Sequence, residues 1–232
     1  MNKTRTNIRE RFAAVESLDV PLRRAYGARC ARRGRPMRGG YEHLCMLSII
    51  IPTHNSERTL VPTLAALVPG ATAGLVTEVL VTDGGSQDDT AAAADVAGCI
   101  FLPPDGNLGH RLKAAAARAR APWLLFLRPG IVLDVPWTGE VGRFVQRNSR
   151  AQNAAVFRRG GPSQATVREI FRLVAAVLGA PPRPEQALLI SRPFYEALNG
   201  HSERASDPEN EILRRLGRSR ISKLGTQAFV QD

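Results

Sequence analysis

The sequence predicts an α/β domain over residues 46–232, a three-layer α/β/α sandwich with a mostly parallel sheet. Three observations predict it. From Leu47 onward, short apolar runs alternate with helical patterns, as crossover-connected strands require. The runs are continuously apolar and β-branched, the pattern of strands buried on both faces. Tight-turn residues follow them, and such sheets bind ligands in the loops at the carboxyl ends of their strands.

The first strand is Leu47–Ile51, ended by Pro52. Asn55 or Ser56 can cap the helix that follows to about Val68, and Pro62 inside it implies a kink or a late start. Glu78–Thr82 reads as the second strand and runs into Asp83-Gly84-Gly85-Ser86, where two glycines give a tight turn whose backbone can approach a ligand. Helix Gln87–Val96 and a short strand, Cys99–Leu102, come next. The turn Pro103–Asn107 precedes an Ala-rich helix from His110 to Ala121 that carries Arg111, Lys113, Arg118 and Arg120. Trp123–Leu127 is a fourth buried strand, broken by Arg128-Pro129-Gly130. A helix at Trp137–Arg147, a strand at Ala154–Arg158 and an amphipathic helix at Thr166–Leu178 follow, the last with Val167, Ile170, Phe171, Val174 and Val177 at helical spacing. Strand Leu188–Ile190 and helix Pro208–Leu216 complete the pattern.

Charge and cysteines set limits on function. Of the net charge of +11, +7 falls in residues 1–45, whose Arg33–Gly40 run has linker composition. The expectation is a basic, disordered arm ahead of the domain, and Met46 directly before the first strand marks where the domain could begin. Such an arm suits anionic lipid headgroups and hence peripheral membrane association. Charge alone would also attract nucleic acid, but no aromatic interleaving or reading motif supports that partner. No run of 18 apolar residues occurs, and nothing resembles a secretory signal. Three cysteines, Cys30, Cys45 and Cys99, are odd in number and widely spaced, which suits a reducing cytoplasm, at the inner face of the membrane if the arm binds lipid. Neither a Gly-x-Gly-x-x-Gly nor a Gly-x-x-x-x-Gly-Lys-Ser/Thr motif is present, against dinucleotide-fold oxidoreductases and P-loop hydrolases.

Ser48-Ile49-Ile50-Ile51-Pro52-Thr53-His54-Asn55, followed by Val79-Leu80-Val81-Thr82-Asp83-Gly84-Gly85-Ser86-Gln87-Asp88, resembles the opening of family 2 glycosyltransferases with the GT-A fold. Gly109–Leu127 resembles the family segment ahead of its metal-binding aspartates. Pro184–Ile190, Phe194–Gly200 and Pro208–Arg218 resemble later stretches of a small bacterial subgroup. The resemblance implies transfer of a sugar, with inversion, from a nucleotide-diphosphate donor to a hydroxyl acceptor on a glycan or a lipid-linked molecule. It places Pro52, Thr53, Asn55, Asp83 and Gly84 at the donor.

Asp83 reads either as a nucleoside-binding carboxylate or as a turn aspartate bonding its own backbone, and the surrounding pattern favours the ligand. Asn55 reads as a helix cap or a sugar contact, and His54 as a loop wall. Arg111 and Lys113 lie where the subgroup has donor-facing polar residues that a diphosphate would suit, and read also as solvated helix charges. Glu209 falls at the family's general base, which takes the proton of the attacking hydroxyl, although acids near a helix N-terminus are also favoured by the dipole alone. One position departs from the pattern. Gly130 stands where the family's Mg²⁺- or Mn²⁺-binding aspartate belongs, and glycine cannot hold a hard cation, so no cofactor is assigned. Asp134 could substitute only through a rearranged loop, Arg128 could neutralise the diphosphate directly, or catalysis is lost and a nucleotide-sugar binder or scaffold remains.

Overall fold

A computed structural model describes residues 46–148, 152–160 and 182–230. The arm at 1–45 and the amphipathic helix expected at Thr166–Leu178 lie outside the described residues.

The elements are β1 (Leu47–Thr53), α1 (Glu57–Thr72), β2 (Val76–Asp83), α2 (Thr90–Val96), β3 (Ile100–Leu102), α3 (Leu108–Arg118), β4 (Trp123–Phe126), β5 (Ile131–Leu133), α4 (Trp137–Arg147), β6 (Ala154–Arg159), β7 (Leu188–Ser191), α5 (Arg192–Ala197), α6 (Pro208–Leu216) and β8 (Ile221–Val230), with short 3₁₀ turns at Pro184–Gln186 and Arg218–Arg220. They form one eight-stranded sheet in the order β3-β2-β1-β4-β7-β6-β8-β5. The half from β3 to β4 is wholly parallel. In the other half β7 runs antiparallel to both β4 and β6, β8 is parallel to β6, and β5 is antiparallel to β8.

Side chains that alternate across β1 fill two separate layers. Ile49 and Ile51 pack with Leu60, Leu64 and Leu67 of α1 and with Trp137 of α4. Ile50 and Leu80 point the other way, onto Leu112 of α3 and Ile212 and Leu213 of α6. Apolar burial on both faces is why these strands read as continuous runs. Among the described residues no helix is long and apolar enough to cross a membrane.

Several boundaries shift from expectation. β1 runs through Pro52 to Thr53, because β4 pairs with it only as far as Ile50 and leaves the proline without a strand on that side. α1 starts at Glu57 and continues through Pro62 and Pro69 to Thr72, so Pro62 does not delay it. β5, α5 and β8 were not expected from sequence. β8 hides Leu224, Thr226 and Ala228 while exposing Lys223, Gly225 and Gln227, an alternation faint in hydrophobicity because two of its inward residues are small or polar.

Candidate active site

The carboxyl ends of β2, β1 and β4 form one continuous rim. In register, Thr53 of β1 stands opposite Asp83 of β2, and Ile50 stands opposite Phe126 of β4. The three strand ends are adjacent, so the rim extends over two strand spacings, roughly 10 Å.

At its β2–β1 end, two loops are tied into one surface. The Gly84 amide donates to the Thr53 carbonyl at 2.7 Å. The Asp83 carboxylate accepts four hydrogen bonds: Oδ1 from the Thr53 hydroxyl (2.9 Å) and the Ser86 hydroxyl (2.5 Å), Oδ2 from the amides of Gly85 (2.8 Å) and Ser86 (2.7 Å). Burial alone would raise its pKa, but these bonds together outweigh burial and hold it below the ordinary carboxylate value. The four bonds use the lone-pair directions a carboxylate has, so Asp83 as it stands braces the turn. Asn55 does not cap α1. Ser56 is the N-cap residue, without a side-chain capping bond, and Asn55 instead adopts φ 49° and accepts from the Gln87 amide at 2.8 Å. Its own amide donates to the Ser86 hydroxyl at 2.8 Å, so it stitches the two loops together. His54 lines the same loop, its Nδ1 3.1 Å from the Gly84 carbonyl oxygen.

Arg111 reaches this surface from the first turn of α3. A Cβ added at Gly84 would lie 2.8 Å from one terminal nitrogen of its guanidinium and 3.1 Å from the other, so only glycine admits the cation so close to the turn. The Arg111 Nε is buried and has no hydrogen-bond partner among the described residues. Lys113 does not join it. Two residues along a helix is a rotation of about 200°, and Lys113 faces Glu203 at 3.2 Å on another side of α3.

Two strands away, Arg128 follows β4 and meets Glu209 in the first turn of α6. Its Nε and one terminal nitrogen converge on Oε2 of Glu209, at 2.8 and 2.5 Å, and its other terminal nitrogen lies 3.4 Å from Glu185 Oε1. Burial would lower the Arg128 pKa, but the hydrogen bond and charge of Glu209, with the charges of Glu185 and Asp207, hold it above the ordinary value. Oε1 of Glu209 takes no hydrogen bond among the described residues. Glu185 and Asp207 were not singled out from sequence. The signal available was the need of a strand-end arginine for carboxylate partners, but nothing local pointed to residues 57 and 79 positions away.

Among the described residues, Gly130 and Asp134 do not build a site for a divalent cation. Gly130 has φ 85°, and its amide donates to the Thr59 carbonyl (3.0 Å) and the Thr63 hydroxyl (2.9 Å) of α1. Asp134 offers no substitute: it follows β5, the last strand in the sheet order, and its Oδ1 accepts from the Val135 amide at 2.8 Å. Among the described residues no group of three or more His, Cys, Asp or Glu could hold a metal.

Comparison with known proteins gives a consistent picture. The family model for glycosyl transferase family 2 matches residues 48–128. A validoxylamine A glucosyltransferase of Streptomyces hygroscopicus subsp. limoneus is 32% identical over 134 residues, which is 51% of this chain and 30% of that protein. A second, from subsp. jinggangensis, is 35% identical over 103 residues, 41% of this chain and 24% of that protein. The chain therefore spans less than a third of the curated relatives it matches. Among solved structures, glucosyl-3-phosphoglycerate synthase of Mycobacterium tuberculosis, in complex with Mn²⁺, uridine diphosphate and glucosyl-3-phosphoglycerate, superimposes with TM-score 0.54 and 20% identity over 85% of this chain and 79% of that one. Residues 1–349 of S. aureus TarS superimpose with TM-score 0.58 and 16% identity over 80% and 60% of the respective chains. The fold is GT-A.

Proposed function

From the match of residues 48–128 to the family model for glycosyl transferase family 2, we propose that the chain moves a sugar from a nucleoside-diphosphate donor to a hydroxyl acceptor with inversion. The donor lies along the rim, nucleoside over the joined loops of Thr53–Asn55 and Asp83–Ser86, sugar toward Arg128 and Glu209. Pro52 lies within the pairing of β1 with β2 that runs on to Thr53 and Asp83 and so sets the first loop's position, and Asp83 shapes the nucleoside surface by holding Thr53, Gly85 and Ser86. Arg111 supplies positive charge beside Gly84, where a phosphate or ribose oxygen would meet its donors. Glu209 Oε1 takes the acceptor proton while the acceptor oxygen attacks the anomeric carbon and the bond to the diphosphate breaks. Lys113, paired with Glu203, lies apart from the donor.

The observation that carries this reading is the Arg111 guanidinium resting on Gly84 at the same rim as the Arg128–Glu209 pair. Titration calorimetry of the full chain with UDP-, GDP- and TDP-sugars tests it, followed by turnover against glycan and lipid-linked hydroxyl acceptors. Failure to bind every donor would end it. A second reading keeps binding and drops turnover, favoured by Glu209 being held by Arg128. Donor bound but never consumed, with any acceptor offered, selects it. Membrane association through residues 1–45 is a separate proposal, tested by co-sedimentation with phosphatidylserine vesicles.

A further inference from the structure

The disagreement between this rim and a metal-binding one is itself informative. A sugar diphosphate needs positive charge at its leaving group. Here Gly130, with its amide turned to α1, brings no carboxylate. What stands on the rim is already a cation: Arg128, two residues beyond β4, held by Glu209 and Glu185 and with its side chain still 35% exposed. Its hold on Glu209 is not the fork-to-fork pairing that uses both carboxylate oxygens. Both contacts fall on Oε2, and Oε1 is left over. A diphosphate carries more charge and more acceptor oxygens than one carboxylate oxygen, and guanidinium suits it well. It can therefore compete for the same donors.

Resting on the transferase reading above, we propose that Arg128 meets the donor diphosphate in place of a divalent cation, and that the diphosphate draws Arg128 off Glu209, freeing the base only once donor is bound. Arg128 then covers the charge that builds on the leaving diphosphate as its bond to the anomeric carbon breaks. The new bond forms to the acceptor oxygen, and that oxygen's proton goes to Glu209. Glu209 thus has two states, locked on Arg128 without donor and open to an acceptor hydroxyl with it.

The test is calorimetry of the full chain with UDP and with GDP, once in EDTA and once with Mn²⁺. Nucleotide affinity is expected to be the same in both. Glu209→Gln removes the competitor while keeping its shape and leaves Arg128 beside Glu185, so nucleotide affinity should rise about three- to tenfold. Arg128→Gln should lower it by about tenfold or more; should that variant unfold, Arg128→Lys, which keeps the charge but not the fork, should fall between it and the native protein. Nucleotide binding that requires Mn²⁺ overturns the proposal, and so does Glu209→Gln binding no more tightly than the native chain. Those results leave the transferase reading standing, whereas no nucleotide bound under either condition removes that reading and this inference with it.

Discussion

Replacing Asp83 separates bracing from ligand contact, because alanine and asparagine remove different parts of what its carboxylate does. Alanine deletes all four acceptor contacts at a residue that is 3% exposed. The hydroxyls of Thr53 and Ser86 can turn to other partners, but the amides of Gly85 and Ser86 cannot. With hydrogen bonds to a charged group each contributing about 1.5–3 kcal/mol, and partial recovery by water, Asp83→Ala should cost about 3 kcal/mol. Asparagine can place its carbonyl oxygen toward the two amides and its amino group toward the two hydroxyls, which then accept instead of donating. It loses charge assistance but leaves no donor stranded, so Asp83→Asn should cost about 1 kcal/mol. Urea unfolding followed by fluorescence reads the difference, since Trp123 and Trp137 are both buried. For a domain of this size the alanine variant should melt about 6–12 °C lower. The pH dependence has a definite sign. The folded pKa lies below the unfolded one, so the stabilisation is present above the ordinary carboxylate range and is lost as pH falls through the lowered value. The gap between native and alanine proteins should therefore hold from pH 8 to pH 5 and close below about pH 4. Equal cost for both variants, or a gap that closes near neutrality, would refute the bracing geometry.

Three further outcomes follow from other sites. His201, 1% exposed and hydrogen-bonded to the Tyr195 hydroxyl at 2.8 Å, has its pKa pushed down to about 3, by burial first and then by the charge of Arg215. Its unfolded form takes up a proton below about pH 6.5 and its folded form does not, so stability should fall by about 2 kcal/mol between pH 6.5 and pH 5; His201→Gln should flatten that slope in urea titrations. A Cβ at Gly109 would overlap the Ser202 carbonyl oxygen, so Gly109→Ala should push the 201–204 loop off α3 and cost about 2 kcal/mol in a melting experiment. Gly130→Asp places a side chain at φ 85°, costing about 1–2 kcal/mol. It should create no Mn²⁺ dependence in nucleotide binding by calorimetry, since among the described residues no group of three or more His, Cys, Asp or Glu is placed to hold a metal with it.

What could be read from the sequence follows from how local the determining interactions are. Strands β1 to β4 and helices α4 and α6 were legible because apolar runs and helical spacing encode burial directly, and Trp137–Arg147 and Pro208–Leu216 have the boundaries the spacing implies. β5 has three residues and α5 only six, too short for a period to declare itself. At the site, Asp83-Gly84-Gly85-Ser86 was legible as a tight turn because the bonds Asp83 accepts from Gly85 and Ser86 lie within three residues, whereas its tie to Thr53 spans 30. Arg111 was legible as a position but not as a contact, because its approach depends on the packing of α3 against β1 and β2. Lys113 shows the limit of that reasoning, since two residues that look alike in sequence diverge on a helix. The Arg128–Glu209 pairing was beyond it, as no local signal connects residues 81 positions apart.

The same division bears on how the rim would work. Its nucleotide end is closed by backbone bonds and by a carboxylate with no free acceptor site, and such a surface does not change partners cheaply. Its other end is held by one arginine between two carboxylates, where partners can be exchanged without leaving the guanidinium unpaired. Glu209 is the exception, at 8% exposure, because a buried carboxylate stripped of Arg128 is costly until something donates to it. The donor diphosphate can take Arg128 but cannot satisfy Glu209, whereas an acceptor hydroxyl can. On the proposed reading, exchange at this pair imposes an order, donor before acceptor, and the burial that makes Glu209 costly to release ties its use as a base to the arrival of the hydroxyl it would deprotonate.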